Sequence, residues 1–62
     1  MKRTYWLAVP NHDAYNTFRV EKKITCEVVG EWAEGHAKIW QDENGEQYYC
    51  FRLEGIYYFA HA

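Results

Sequence analysis

The chain has 62 residues, nine acidic and seven basic side chains and a formal net charge of −2. A chain this short buries only about 60% of its unfolded surface, so residues 1–62 make one domain with a thin core. Acids and bases are interspersed rather than run together, which excludes a strong steering field for nucleic acid or anionic membrane.

Aromatic residues make up 19% of the chain, three Trp, six Tyr and three Phe. Each buries on the order of 150–250 Å², so part of this excess has to form the core. Met1-Lys2-Arg3 is basic, but the apolar run from Tyr5 to Val9 ends at Pro10-Asn11-His12. It is too short for a secretory h-region or a membrane span, and a cytoplasmic location is expected. The chain reads as a complete short product, beginning at Met1 and ending close to its last strand.

Thr4 to Val9 reads as the first strand and Pro10 to Asn16 as a polar loop rich in turn formers. Thr17 to Val20 reads as a second strand, followed by a Glu21-Lys22-Lys23 turn. From Ile24 to Ala60, short β-branched and aromatic runs are separated by Glu34-Gly35, Asp42-Glu43-Asn44-Gly45 and Glu54-Gly55. That punctuation predicts an antiparallel meander.

For residues 25–34 two readings compete. As a strand, Ile24, Cys26, Val28 and Trp32 share the inner face. As a helix, Thr25 is the N-cap and Gly35 the C-terminal cap. The strand is preferred, because Cys, Val, Val, Gly and Trp in close succession are mediocre helix formers. The expected fold is mainly β, five or six strands curled or closed as an SH3-like or OB-like barrel. The alternative is α+β, an antiparallel sheet with one short helix.

Asp42 at the first position and Gly45 at the fourth fit a type I turn followed by a left-handed glycine, a three-residue hairpin loop. Counting back predicts the pairs Trp40/Tyr48, Ile39/Tyr49, Lys38/Cys50 and Ala37/Phe51. If Glu34-Gly35 is a two-residue turn, Trp32 meets Ala37, Glu31 meets Lys38 and Val29 meets Trp40. Ala37, Ile39, Tyr49, Phe51 and Leu53 are assigned to the core. His36, Lys38, Trp40, Tyr48, Cys50 and Arg52 are assigned to the outer face.

That outer face, with Lys38, Trp40, Tyr48 and Arg52 on adjacent strands and His36 beside them, is the candidate binding site. Rings with flanking cations are enriched at protein interface hot spots and also stack nucleic-acid bases. The blander reading is a cross-strand ring pair covered by the N-terminal strand or loop. Ile56-Tyr57-Tyr58-Phe59 is apolar on both faces, and as an exposed edge strand it would invite pairing with another chain.

Little points to catalysis. The chain lacks serine, a Gly-rich phosphate loop and an HExxH motif. Cys50, if beside Lys38, His36 and Arg52, would be an activated thiol, but a half-buried filler is the better reading. Cys26 and Cys50 carry no metal-site spacing. They are expected on opposite faces, as free thiols rather than a disulfide, and no metal or cofactor is expected. The expected function is a non-catalytic protein-binding module, a regulator or inhibitor of a larger protein of the kind phages and mobile elements encode. The alternatives are a nucleic-acid-binding small barrel and a homo-oligomeric structural protein.

Overall fold

The computed structural model describes residues 1–14, 17–32, 35 and 37–62. Five strands run in chain order: β1 (Lys2–Pro10), β2 (Phe18–Trp32), β3 (Ala37–Gln41), β4 (Gln47–Leu53) and β5 (Ile56–His61). Each neighbours the next in an antiparallel meander, and β5 closes the barrel by pairing in parallel with β1 at Trp6↔Tyr58 and Leu7↔Phe59. Barrel closure removes the free sheet edge. β5 is paired with β4 on one side and β1 on the other, as an apolar sequence on both faces fits, so it is not an exposed edge strand.

β2 is one 15-residue strand that runs through the expected Glu21–Lys23 turn and joins the two strands expected on either side of it. Two irregularities bend it. Trp6 pairs with Lys23 and Ala8 with Val20, so Glu21 and Lys22 together oppose Leu7. The expected Glu21–Lys23 turn is thus a β-bulge inside a continuous strand. Farther along, Val28 pairs with Trp40 and Gly30 with Ile39, which leaves Val29 as the extra residue. The strand reading of 25–34 holds through Trp32, and residues 33 and 34 lie outside the described residues.

The turns follow their sequence signals. Asp42 O accepts the Gly45 N–H at 3.1 Å and Asp42 N–H reaches Glu46 O at 3.0 Å, with Gly45 at φ 85°. That is a type I turn closed by a left-handed glycine. Between β4 and β5, Glu54 and Gly55 both have positive φ, 51° and 81°, as a two-residue type I′ loop requires. The Glu34-Gly35 turn lies partly outside the described residues, but the predicted partners Trp32/Ala37 and Glu31/Lys38 are formed.

The core is small: Leu7, Ala8, Cys26, Trp40, Tyr48 and Phe59 are the buried apolar residues. Phe59 is fully buried at its centre, with ring centroids of Tyr5 at 5.1 Å, Trp40 at 5.4 Å and Tyr48 at 6.2 Å. Tyr5, Val9, Ile24, Val28 and Cys50 pack around this cluster. Three large rings from β3, β4 and β5 fill an interior that in a five-stranded barrel has room for side chains only.

Candidate functional site

The interior assignment reverses the expected faces. Trp40 and Tyr48 pair as predicted, but they point into the barrel, with 7% and 4% of their surface exposed. Of the residues expected to share a face with them, Cys50 packs on the core, and Arg52 pairs with Tyr57 at the far end of the β4–β5 ladder. For Trp40, Tyr48 and Cys50 the shared face is the inner one, not the outer. The β3–β4 ladder also stops after Trp40↔Tyr48 and Gln41↔Gln47, so the pairs Ile39/Tyr49, Lys38/Cys50 and Ala37/Phe51 do not form. The strong coiling of a small barrel separates the strands beyond that point.

The predicted site residues therefore part company. Lys38 is exposed and faces Glu31 across the β2–β3 ladder. The Arg52 guanidinium lies over the Tyr57 ring at 5.7 Å, and Tyr57 stacks on Tyr5 at 5.3 Å. His36 lies outside the described residues. No common surface presents the Trp40 and Tyr48 rings to a partner, because both are enclosed.

Both cysteines face inward, contrary to the opposite-face expectation, and both are free thiols. Burial pushes the Cys26 thiol up to about 11, with further contributions from the charges of Asp42 and Cys50. Burial also raises Cys50. Lys38 is not the register partner of Cys50, His36 lies outside the described residues, and an elevated pKa is the opposite of what a nucleophilic thiol needs. Among the described residues no group of three or more His, Cys, Asp or Glu side chains is placed to hold a metal ion.

The aromatic surface available to a partner is the opposite face. Phe18, Phe51 and Tyr58 form a closed triangle of rings outside the barrel, with centroid separations of 5.6, 5.2 and 5.3 Å. Phe18 comes from the start of β2, opposite Pro10, while Phe51 and Tyr58 are cross-strand partners on β4 and β5. Ala8, on the intervening β1, is 3% exposed. It lines the same groove as Phe18 and Phe51 and is not part of the interior ring cluster.

Beside Phe18 and Phe51 lies an open groove of about 730 Å³, lined also by Ala8, Ala60 and, among the described residues between β1 and β2, by residues 11–14 and Thr17. The loop is closed at its base by Asn11 and Thr17, which share a backbone bond at 3.0 Å and an Asn11 Nδ2 to Thr17 Oγ1 bond at 3.0 Å. Trp6 continues the face past Tyr58, its register partner, and is 41% exposed with Lys23 Nζ over its ring at 5.1 Å. A separate ring pair, Trp32 and Tyr49, lies 5.8 Å apart, with Trp32 turned outward by the Val29 bulge.

A second depression of about 640 Å³, at the Asp42–Gly45 turn, sets Lys2, Lys22 and Lys23 against Glu27, Asp42 and Glu43. Three charges of each sign leave no net preference for an anion or a cation. No helix is long and apolar enough to cross a membrane. The chain matches no protein-family model, no curated protein and no solved structure.

Proposed function

We propose that this chain is a non-catalytic protein-binding module that acts through the outer aromatic face built from Phe18, Phe51, Tyr58 and Trp6. One observation carries the reading. The barrel interior is already filled by Trp40, Tyr48 and Phe59, yet three further rings assemble on the outside, in mutual contact. Phe18, Phe51 and Tyr58 are half-buried, and Trp6 beside Tyr58 is 41% exposed, so the face still presents ring surface to solvent. An aromatic cluster left part-open outside a filled barrel supports a contact surface.

Rings suit recognition because they supply large contact area at low entropy cost. A module of 62 residues offers roughly one interface-sized face, about 800 Å² per partner. That scale suits a small regulator or inhibitor occupying the surface of one larger protein, the role phage and mobile-element products of this size commonly fill. The nucleic-acid reading relied on Trp40 and Tyr48 as a stacking platform, and both rings are enclosed.

Affinity capture from lysate of the source cells tests the reading with three baits: wild type, Phe51→Lys, and Glu43→Lys in the Asp42–Gly45 turn as control. Each bait is first checked for native circular dichroism. Proteins recovered by wild type and Glu43→Lys but lost with Phe51→Lys support the face. Identical recoveries by all three, or no recovery by any, overturn it. Sedimentation of the free chain separates the self-associating alternative, in which wild type runs as a dimer and Phe51→Lys as a monomer.

A further inference from the structure

Among the described residues, β3 and β4 are joined only by Trp40↔Tyr48 and Gln41↔Gln47, although β4 continues against β5 as far as Leu53. The backbone groups of successive residues in an antiparallel strand point alternately to its two neighbours. Gln47 O accepts the Ala62 N–H, so the odd residues of β4 bond to β5. Tyr48, Cys50 and Arg52 turn their N–H and C=O groups the other way, toward β3. Tyr48 meets Trp40 there, and next to it Asp42 N–H reaches Glu46 O. The next pair in this series, Lys38 with Cys50, is not formed. The N–H and C=O of Cys50 thus face a seam from β4, and those of Lys38 face it from β3.

The side chains show the same opening. Cys50 shares the inner face with Tyr48, yet it is half-buried where Tyr48 is enclosed. Lys38 and Arg52, two residues along from Trp40 and Cys50, are exposed, and Tyr57 opposite Arg52 is 44% exposed. Main-chain donors and acceptors left unpaired at strand spacing are a template for a further strand. A second copy has no strand to donate, because each of its strands lies between two neighbours in the closed barrel. Seam against seam would also set Lys38 and Arg52 beside their own counterparts.

We infer that this seam takes an extended segment of another protein, which adds a strand to β4 beside Cys50 and Arg52. The Cys50 N–H donates to the incoming backbone and the Cys50 C=O accepts from it. Recognition depends on an extended backbone with free N–H groups more than on any one side chain, and alternating β-branched residues suit it best. The segment enters from the β3 side. The site therefore goes beyond the outer aromatic face and does not require the Phe51 ring.

Amide hydrogen exchange, followed by NMR on the isotope-labelled chain, tests this in two steps. In the free protein the Cys50 N–H should exchange faster than those of Tyr49 and Phe51, which bond to β5. Protection of Cys50 equal to theirs overturns the inference. A pool of capped hexapeptides built from Thr, Val and Ile should then slow the Cys50 amide at least about fivefold, the scale of one net hydrogen bond. The same pool with every peptide nitrogen methylated should have no effect. Arg52→Pro, checked for native circular dichroism, removes a seam-facing N–H and no bond to β5, and should weaken the response. Phe51→Lys should retain it. No slowing by the plain pool, or equal slowing by the methylated pool, overturns the inference in wild type alone. If the pool has no effect while protein capture is still lost with Phe51→Lys, the seam assignment fails and the outer-face reading stands.

Discussion

The Tyr48 hydroxyl donates a hydrogen bond of 2.9 Å to Asp42 Oδ2, joining the barrel core to the hairpin turn that sets the β3–β4 register. The other carboxylate oxygen, Oδ1, accepts the backbone N–H groups of Asn44 at 2.9 Å and Glu46 at 3.0 Å. One side chain thus organises the turn and satisfies the polar end of a buried ring. Tyr48→Phe should lower stability by about 1–2 kcal/mol in urea unfolding, since it removes one hydrogen bond to a charged acceptor and little volume. Asp42→Ala should cost more than Tyr48→Phe, because it also releases both backbone donors. The double variant should fall short of the sum of the two.

The same contacts predict an acid limb. Burial works to raise the Asp42 carboxyl, but the bonds from Tyr48, Glu46 and Asn44, with the charge of Lys22, outweigh it and hold the group below its ordinary 3.8. A depressed carboxyl contributes stability that is complete above the unfolded value and is lost as pH falls through the folded one. Thermal unfolding between pH 5 and pH 2 should therefore show a loss that is shallower in Tyr48→Phe than in wild type. Parallel limbs in the two proteins would place the acid sensitivity elsewhere.

Inside and outside aromatics should respond differently to truncation. Trp40→Ala removes a buried ring against Phe59 and Tyr5 and should cost about 3–5 kcal/mol, enough to unfold much of a domain with so small a core. Trp6→Ala removes a ring that is 41% exposed and should cost about 1 kcal/mol or less while leaving the fold intact. Comparable losses for the two would contradict the inward placement of Trp40. Chemical denaturation followed by far-UV circular dichroism gives both values.

That contrast also shows which parts of the fold were legible in the residues. The turns announced themselves through Asp42, Gly45 and the Glu54-Gly55 pair, and counting from Gly45 correctly placed Trp40 opposite Tyr48. The direction of the faces was not legible from β4, where Tyr48 and Cys50 alternate with Tyr49, Phe51 and Leu53 and both sets are apolar. β2 held the missing cue. Ile24, Cys26 and Val28 alternate with Lys23, Thr25 and Glu27, which identifies its inner face, and Val28 is the partner of Trp40. Gly30 inside a strand pattern signals a bulge, and without it Val29 is matched to Trp40 and both faces turn over. Phe18 joined Phe51 and Tyr58 through barrel closure, a relationship that local alternation does not encode.

The two-residue turn between β4 and β5 should be improvable. Glu54 sits at φ 51°, where a side chain without a short local hydrogen bond is strained, and Asn is well suited to that position before Gly55. Glu54→Asn should raise stability by about 0.5–1 kcal/mol, while Gly55→Ala, at φ 81°, should lower it by about 1 kcal/mol or more. No heavy atom lies within 4 Å of a Cβ added at Gly55, so the loss would come from backbone conformation and not from a clash. Thermal melts of the two single variants decide the matter.

The buried thiol predicts an alkaline limb of opposite sign to that of Asp42. Cys26 is 1% exposed and its thiol is pushed up to about 11, chiefly by burial, from an ordinary 9.0. Above pH 9 the unfolded chain sheds this proton first, so the native state holds more protons and stability falls with rising pH until the folded value is passed. Tyr48, raised above its ordinary 10.0 by burial and by its bond to Asp42, extends the loss to higher pH. Urea midpoints measured at pH 8 and pH 10.5 should converge less in wild type than in Cys26→Ala, which is weaker at pH 8 through the lost sulfur but drops less over the interval. Native Cys26 should also react slowly with a maleimide at pH 7.5 and quickly once unfolded, since both its burial and its raised pKa withhold the thiolate. Rapid labelling of the folded chain at Cys26 would show that the thiol is neither enclosed nor held protonated.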